Sequence, residues 1–168
     1  RYVNEATSYH LFGAEMVMHD HEDPGTATPS YLITDAEGMR RYGLGVVHPF
    51  ARQRTLDGFV DEGYLLRADT IAGLAGQLGV PQQALERTVR GANEMAAAGE
   101  EPDFHRGSNA YQRFNGDSDA ESGHPNLGPI ASAPYFAVRL YPGDIGAATG
   151  YVTDAAAAVL DASGERID

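Results

Sequence analysis

The chain has 168 residues, 42% of them hydrophobic, and a formal net charge of -12 at pH 7. That length suits one domain with a sizeable core, and the acidic balance argues against nucleic acid and against an anionic membrane surface, which both need a basic face. There is no Cys and every one of the 12 basic residues is Arg, so disulfides, zinc thiolates, cysteine nucleophiles and lysine Schiff bases are excluded within this chain.

Taken in chain order, Glu5 to about Met18 reads as a helix, with Tyr9, Phe12 and Met16 at three- and four-residue spacings and Thr7 or Ser8 near its cap. The polar run from His19 to Asp23 and the breakers Pro24 and Gly25 end it. Ser30 to Asp35 favours a strand, with a turn from Asp35 to Gly38. Met39 to Val47 is ambiguous, and its Gly43 and Gly45 point to a bend or a close backbone approach. A short strand is expected around Tyr64-Leu65-Leu66. Asp69 or Thr70 caps a helix through Leu78, with Ile71, Leu74, Ala75 and Leu78 on one face, and Gly79 stops it. Pro81 opens a second helix whose stripe is Leu85, Val89, Ala92 and Ala96, ended by Gly99. Glu100 to Pro129 is irregular, rich in Gly, Asn, Asp and Ser, and of a length that often carries function. Tyr135 to Leu140, Tyr151 to Thr153 and Ala158 to Asp161 are further strand candidates. Without strict strand–helix alternation, the fold class expected is α+β: a helical hairpin packed with a small mixed or antiparallel sheet.

Most conspicuous groups have ordinary readings. His19 and His21 stand two apart and cannot share a helix face, so a solvated loop is preferred to a metal site and no metal is expected. Asp103-Phe104-His105-Arg106 reads as a structural knot with Asp and Arg paired. Gly43-Leu44-Gly45 lacks the third glycine and the following helix of a dinucleotide-binding turn. No apolar run approaches the ~20 residues that cross a bilayer, no signal peptide is visible, and a cytoplasmic location is the expectation.

Five phrases, in order along nearly the whole chain, carry a family resemblance. They are Arg1-Tyr2-Val3-Asn4-Glu5, then Ala68-Asp69-Thr70-Ile71-Ala72-Gly73-Leu74-Ala75, then Asn93 with Asp103 to Gly107, then Ala133-Pro134-Tyr135-Phe136-Ala137-Val138, and finally Gly143-Asp144-Ile145-Gly146 with Gly150 to Asp154. Together they resemble the substrate-capping domain of FAD-dependent flavoproteins in the fumarate reductase and 3-ketosteroid dehydrogenase superfamily. The resemblance implies a chain that is the substrate side of a larger enzyme, inactive alone. Residues 1–140 would be the capping domain, and 141–168 a return segment and hairpin belonging to the FAD-binding domain. FAD would be held mainly outside this chain, with Gly143, Asp144, Gly146 and Gly150 passing near the flavin ring. A small-molecule substrate is implied, and the flavin-facing surface, bare in isolation, would favour self-association.

Within the superfamily the resemblance is closer to the 3-ketosteroid dehydrogenases. Fumarate reductases carry a His where Gly146 stands and an Arg where Tyr9 stands. The implied reaction is dehydrogenation of a ketosteroid-like cyclic ketone: a proton goes to a cap Tyr and a hydride to flavin N5. Tyr42 in Arg40-Arg41-Tyr42-Gly43 matches that base, with Tyr31 and Tyr64 as reserves near the substrate. Arg40 and Arg41 could instead grip a substrate carboxylate bidentately. Two alternatives stay open: the cap of a fumarate-reductase-type enzyme acting on a carboxylated alkene, and a non-catalytic acidic binding module.

Overall fold

The computed structural model describes residues 3–120, 122–143, 146 and 150–167. Its first helix, α1 (Tyr9–Glu22), starts later and runs further than the sequence pattern predicts. Ser8 is the cap, accepting the Leu11 N–H. His19 to Glu22, expected in a loop, belongs to the helix. Nothing in that polar run forbids helical backbone, and the stop comes only at Asp23 before Pro24. Asp20 then accepts the N–H groups of Gly25, Ala27 and Thr28 and ties down the departing chain. Met16 is buried as the stripe predicts, but Tyr9 lies in solvent.

Strand β1 (Ser30–Thr34) runs into α2 (Ala36–Tyr42). The signal read as a turn at Asp35 is therefore a helix cap. Asp35 is buried, its Oδ1 accepts the Gly38 N–H at 2.8 Å, and its Oδ2 accepts the N–H groups of Ala131 and Ser132 at 2.9 and 2.8 Å. One carboxylate thus caps α2 and pins the approach to the last strand. Gly43 ends α2 at φ 72°, ψ -168°, a region essentially restricted to glycine, and a Cβ there would run into the Val47 carbonyl. The expected close backbone approach is real. Leu44 and Val47 exchange both backbone hydrogen bonds in a tight turn.

Helix α3 (Gln53–Asp61) has no counterpart in the sequence reading. The short strand β2 (Leu66–Ala68) begins two residues after Tyr64. The hairpin of α4 (Ile71–Leu78) and α5 (Gln82–Ala98) agrees with the pattern, with Thr70 as cap and left-handed Gly79 and Gly99 as stops. Pro81 occupies the cap of α5 rather than its first turn. The irregular segment contains one short helix, α6 (Ala110–Phe114), capped by Asn109. Strand β3 (Tyr135–Leu140) is central. The two later strand candidates reduce to isolated bridges, Thr153 with Val159 and Leu160 with Arg166.

The sheet is antiparallel throughout, in the order β1-β3-β2. Alternate side chains serve opposite faces. Tyr31, Ile33 and Ala137 pack on Leu74, Ala75, Leu78, Leu85 and Val89 of the hairpin. Leu32, Phe136 and Val138 pack with Met39 of α2, Phe59 of α3, Val47 and Leu65. The class is α+β as expected, but helices cover both faces of the sheet. The second layer, α2 and α3, is what carries Tyr42.

Candidate active site

Tyr42 is the last residue of α2, and more than half of its surface is exposed. Its phenol donates to Oδ2 of Asp117 at 2.5 Å. The Arg41 guanidinium donates to the same oxygen at 2.6 Å and lies 5.4 Å from the Tyr42 ring centroid. The other carboxylate oxygen of Asp117 accepts the Asp119 N–H at 2.9 Å. Burial, followed by the hydrogen bond to Asp117, pushes the Tyr42 phenol above its ordinary value. The same bond, with the Asp119 N–H and the Arg41 charge, pulls Asp117 below the usual carboxylate range. The two shifts share the hydrogen bond, which favours the proton staying on the Tyr42 oxygen, and burial adds to the Tyr42 shift.

Asp117 was missing from the sequence reading. It stands 75 residues from Tyr42, in the segment whose length and composition singled it out without marking any one residue. Its place is well fixed. The Asp117 N–H donates to the Pro125 carbonyl at 2.8 Å, and Asn126 reaches back to the Gln112 carbonyl at 2.8 Å. A Cβ at the preceding Gly116 would collide with the Pro125 carbonyl and the Asn126 amide.

Arg40 is one residue from this cluster but differently engaged. It forms a two-point pair with Glu37, at 2.9 and 2.6 Å, and lies over the Phe50 ring. That bond pulls Glu37 down and pushes Arg40 up. Both arginines considered for a substrate carboxylate therefore already hold a carboxylate of this chain.

The reserve tyrosines lie elsewhere. Tyr31 is on the hairpin side of the sheet, and its phenol donates to the Leu78 carbonyl at 3.1 Å. It borders a cavity of about 510 Å³ between β1 and the hairpin, walled by residues such as Leu78, Val80, Leu85 and Met95, with Glu5 and Arg106 at one side. None of Arg41, Tyr42 and Asp117 lines that cavity. Tyr64 stacks near Phe59, 5.5 Å between centroids, and its oxygen accepts the Val46 N–H at 3.0 Å, bracing the turn after Gly43. Of the five side chains singled out, the structure brings Arg41 and Tyr42 together, sets Arg40 beside them, and separates Tyr31 and Tyr64.

The knot around Arg106 is real but wired differently from the sequence reading. Arg106 pairs with Glu5, not with Asp103. Buried Glu101 accepts the N–H groups of Phe104 and Arg106. The sequence placed charge partners by proximity, whereas the fold brings the start of the chain against this loop.

Gly143, Gly146 and Gly150 present open backbone, and a Cβ on any of them would meet nothing within 4 Å. Asp144 lies outside the described residues. Backbone of this kind can lie flat against an aromatic ring. Among the described residues there is no glycine-rich turn between a strand and a helix to receive a pyrophosphate. The backbone at Gly143, Gly146 and Gly150 is open to a flat ring, and the described residues offer no counterpart for a phosphate.

A family model described as an FAD binding domain matches residues 1–168. The chain is 36% identical over 167 residues to 4-oxocyclohex-2-ene-1-carboxylate 5-dehydrogenase of Sinomonas cyclohexanicum, covering 99% of this chain and 28% of that protein. It superposes with a TM-score of 0.80 and 36% identity on 3-ketosteroid Δ1-dehydrogenase of Sterolibacterium denitrificans, solved with 1,4-androstadiene-3,17-dione, over 100% of this chain and 30% of the other. A flavocytochrome c3 fumarate reductase in an open conformation shares the fold at a TM-score of 0.63 and 21% identity, covering 100% of this chain and 24% of that one. The chain thus spans less than a third of the length of each of these relatives. No helix among the described residues is long and apolar enough to cross a membrane.

Proposed function

The chain belongs to the FAD binding domain family, and from that premise we propose that it forms the substrate-side cap of a flavin-dependent dehydrogenase acting on a cyclic ketone. Residues 1–140 form the cap proper, and 141–168 return toward the flavin. The observation that carries this reading is the exposed phenol of Tyr42, fixed at the end of α2 by Asp117 and Arg41, in a chain whose relatives at 36% identity are named as dehydrogenases of cyclic ketones.

FAD, when bound, supplies the hydride acceptor. This chain contributes the proton acceptor. A C–H bond beside a ketone is acidic enough to be broken by a positioned base, and Tyr42 presents its oxygen from a rigid helix end rather than from a mobile tip. Gly143, Gly146 and Gly150 offer backbone against the ring. The cap also excludes water from the face it covers.

A second reading, reduction of a carboxylated alkene, draws on NADH:acrylate oxidoreductase of Vibrio harveyi, 27% identical over 82% of this chain and 11% of that protein, and on the shared fold of the fumarate reductase. Arg40 and Arg41, the groups it needs, are occupied by Glu37 and Asp117. The test uses the flavin-loaded protein that carries this chain. Androst-4-ene-3,17-dione and 4-oxocyclohex-2-ene-1-carboxylate are added anaerobically to the oxidised flavin, and fumarate to the reduced flavin. Bleaching by either ketone is the expected result, and the two ketones separate a steroid from a smaller carboxylated ring. Reoxidation by fumarate with no bleaching by either ketone would overturn the proposal.

A further inference from the structure

Resting on the reading of Tyr42 as proton acceptor, we infer that Asp117 is its positioning residue and the second station for the proton. The difficulty it resolves is on the page. Tyr42 donates its proton to Asp117 at 2.5 Å, so no standing phenolate is available near neutral pH. A neutral phenol is a very weak base unless its own proton can leave as another arrives. Asp117 gives that proton a destination along an existing hydrogen bond.

The charged groups around the phenol are suited to this. Arg41 contacts the accepting oxygen of Asp117 at 2.6 Å and keeps the carboxylate ionised and aimed. Glu37, the other nearby charge, is paired with Arg40. The Asp119 N–H holds the remaining oxygen. The carboxylate is about one-quarter exposed, so a proton received there can pass to solvent.

The step balances. The C–H bond beside the ketone breaks and its proton goes to the Tyr42 oxygen. The original phenolic proton moves to Oδ2 of Asp117. The neighbouring carbon loses its hydrogen with the electron pair, as hydride, to the flavin oxidant, and a carbon–carbon double bond forms. Substrate is oxidised by two electrons, flavin is reduced by two, and Asp117 releases the proton to water before the next turnover.

The test compares Asp117→Asn, Asp117→Glu and Tyr42→Phe in the flavin-loaded protein. Asp117→Asn keeps a side chain of the same shape but cannot take the proton. Its kcat is expected to fall about 10²-fold or more, with KM within about threefold. The shape of the pH profile also changes. Wild type is flat through neutral pH, whereas Asp117→Asn climbs tenfold per pH unit toward the tyrosine pKa, because only phenolate can then act. Asp117→Glu restores the flat profile. The 13Cζ resonance of Tyr42, assigned by its loss in Tyr42→Phe, titrates at lower pH in Asp117→Asn than in wild type, a readout independent of turnover. A flat profile with near-normal kcat in Asp117→Asn, while Tyr42→Phe is inactive, overturns the role of Asp117 alone. Normal turnover in Tyr42→Phe overturns the reading beneath it. An Asn variant whose lost activity comes with an unchanged profile and an unmoved Tyr42 titration reduces Asp117 to a structural contact.

Discussion

Two carboxylates in this chain show how the same side chain serves opposite ends. Asp35 is buried and engages both its oxygens, accepting three N–H groups. Asp35→Ala removes a cap and leaves two further donors without that partner. The cost is about 3 kcal/mol, the cap contributing ~1 and the others the rest, read as a lower denaturant midpoint with unchanged slope. Asp117, near the surface, is instead tied to a phenol that protrudes. Tyr42 has a folded-state value above its ordinary one, so its pair stabilises fully below about pH 10 and fades as pH rises through the folded value. Asp117 is depressed, so its share is present above about pH 4 and fades as pH falls through its folded value. The stability difference between wild type and Tyr42→Phe is therefore expected to be level from about pH 5 to 9 and to shrink at both extremes. A difference that instead grows above pH 10 would contradict the assigned pair. Tyr42 was singled out in the sequence by the family resemblance, as the best match to the cap Tyr in Arg40-Arg41-Tyr42-Gly43. Asp117 was not, because a contact across 75 residues leaves no local trace and the segment around it holds two other aspartates, Asp103 and Asp119.

Among the elements, those defined by their own caps and stripes were readable, and those defined by packing were not. The α4–α5 hairpin announces itself through Thr70, Gly79, Pro81 and Gly99. Helix α3 packs the half-buried Leu56, Phe59 and Val60 against a layer the sequence does not reveal. Its Leu56, Phe59 and Val60 do stand at helical spacing, but Arg52 supplies no side-chain cap to mark the start. Helix α6 spans only five residues, too short for any periodicity. The strand signal at Tyr64 slipped because that ring braces a turn instead of joining the sheet. Gly43 is the element-level control on the site. Gly43→Ala forces both an unfavourable backbone and a collision with Val47, so it should cost at least ~2 kcal/mol and displace Tyr42. Gly79→Ala meets no neighbouring atom and should cost only ~1 kcal/mol, with the site unaffected. A comparison of melting temperatures and Tyr42 resonances in the two variants checks this. Equal losses would mean that the turn after α2 is not the constraint.

At the scale of the whole molecule, two large apolar side chains near the cluster in sequence are exposed. Phe50, 69% exposed, sits under Arg40, and Phe114, 87% exposed, lies three residues before Asp117. A cap that normally covers a flavin would expose such a face. The isolated chain is expected to self-associate, with a sedimentation coefficient that rises with concentration, and Phe50→Ser with Phe114→Ser should return it to monomer. A wild-type chain that stays monomeric at high concentration would argue that this face needs no cover. The acidic composition was informative about partners to avoid and silent about these exposed rings. The family assignment rests on a family model that matches residues 1–168, and the functional reading joins that assignment to one phenol. The most direct measurement is the rate of flavin bleaching by a cyclic ketone in the flavin-loaded protein, wild type against Tyr42→Phe. The account predicts rapid bleaching in wild type and a loss of about 10²- to 10⁴-fold in the variant at unchanged flavin content. Bleaching at the same rate in both would contradict it.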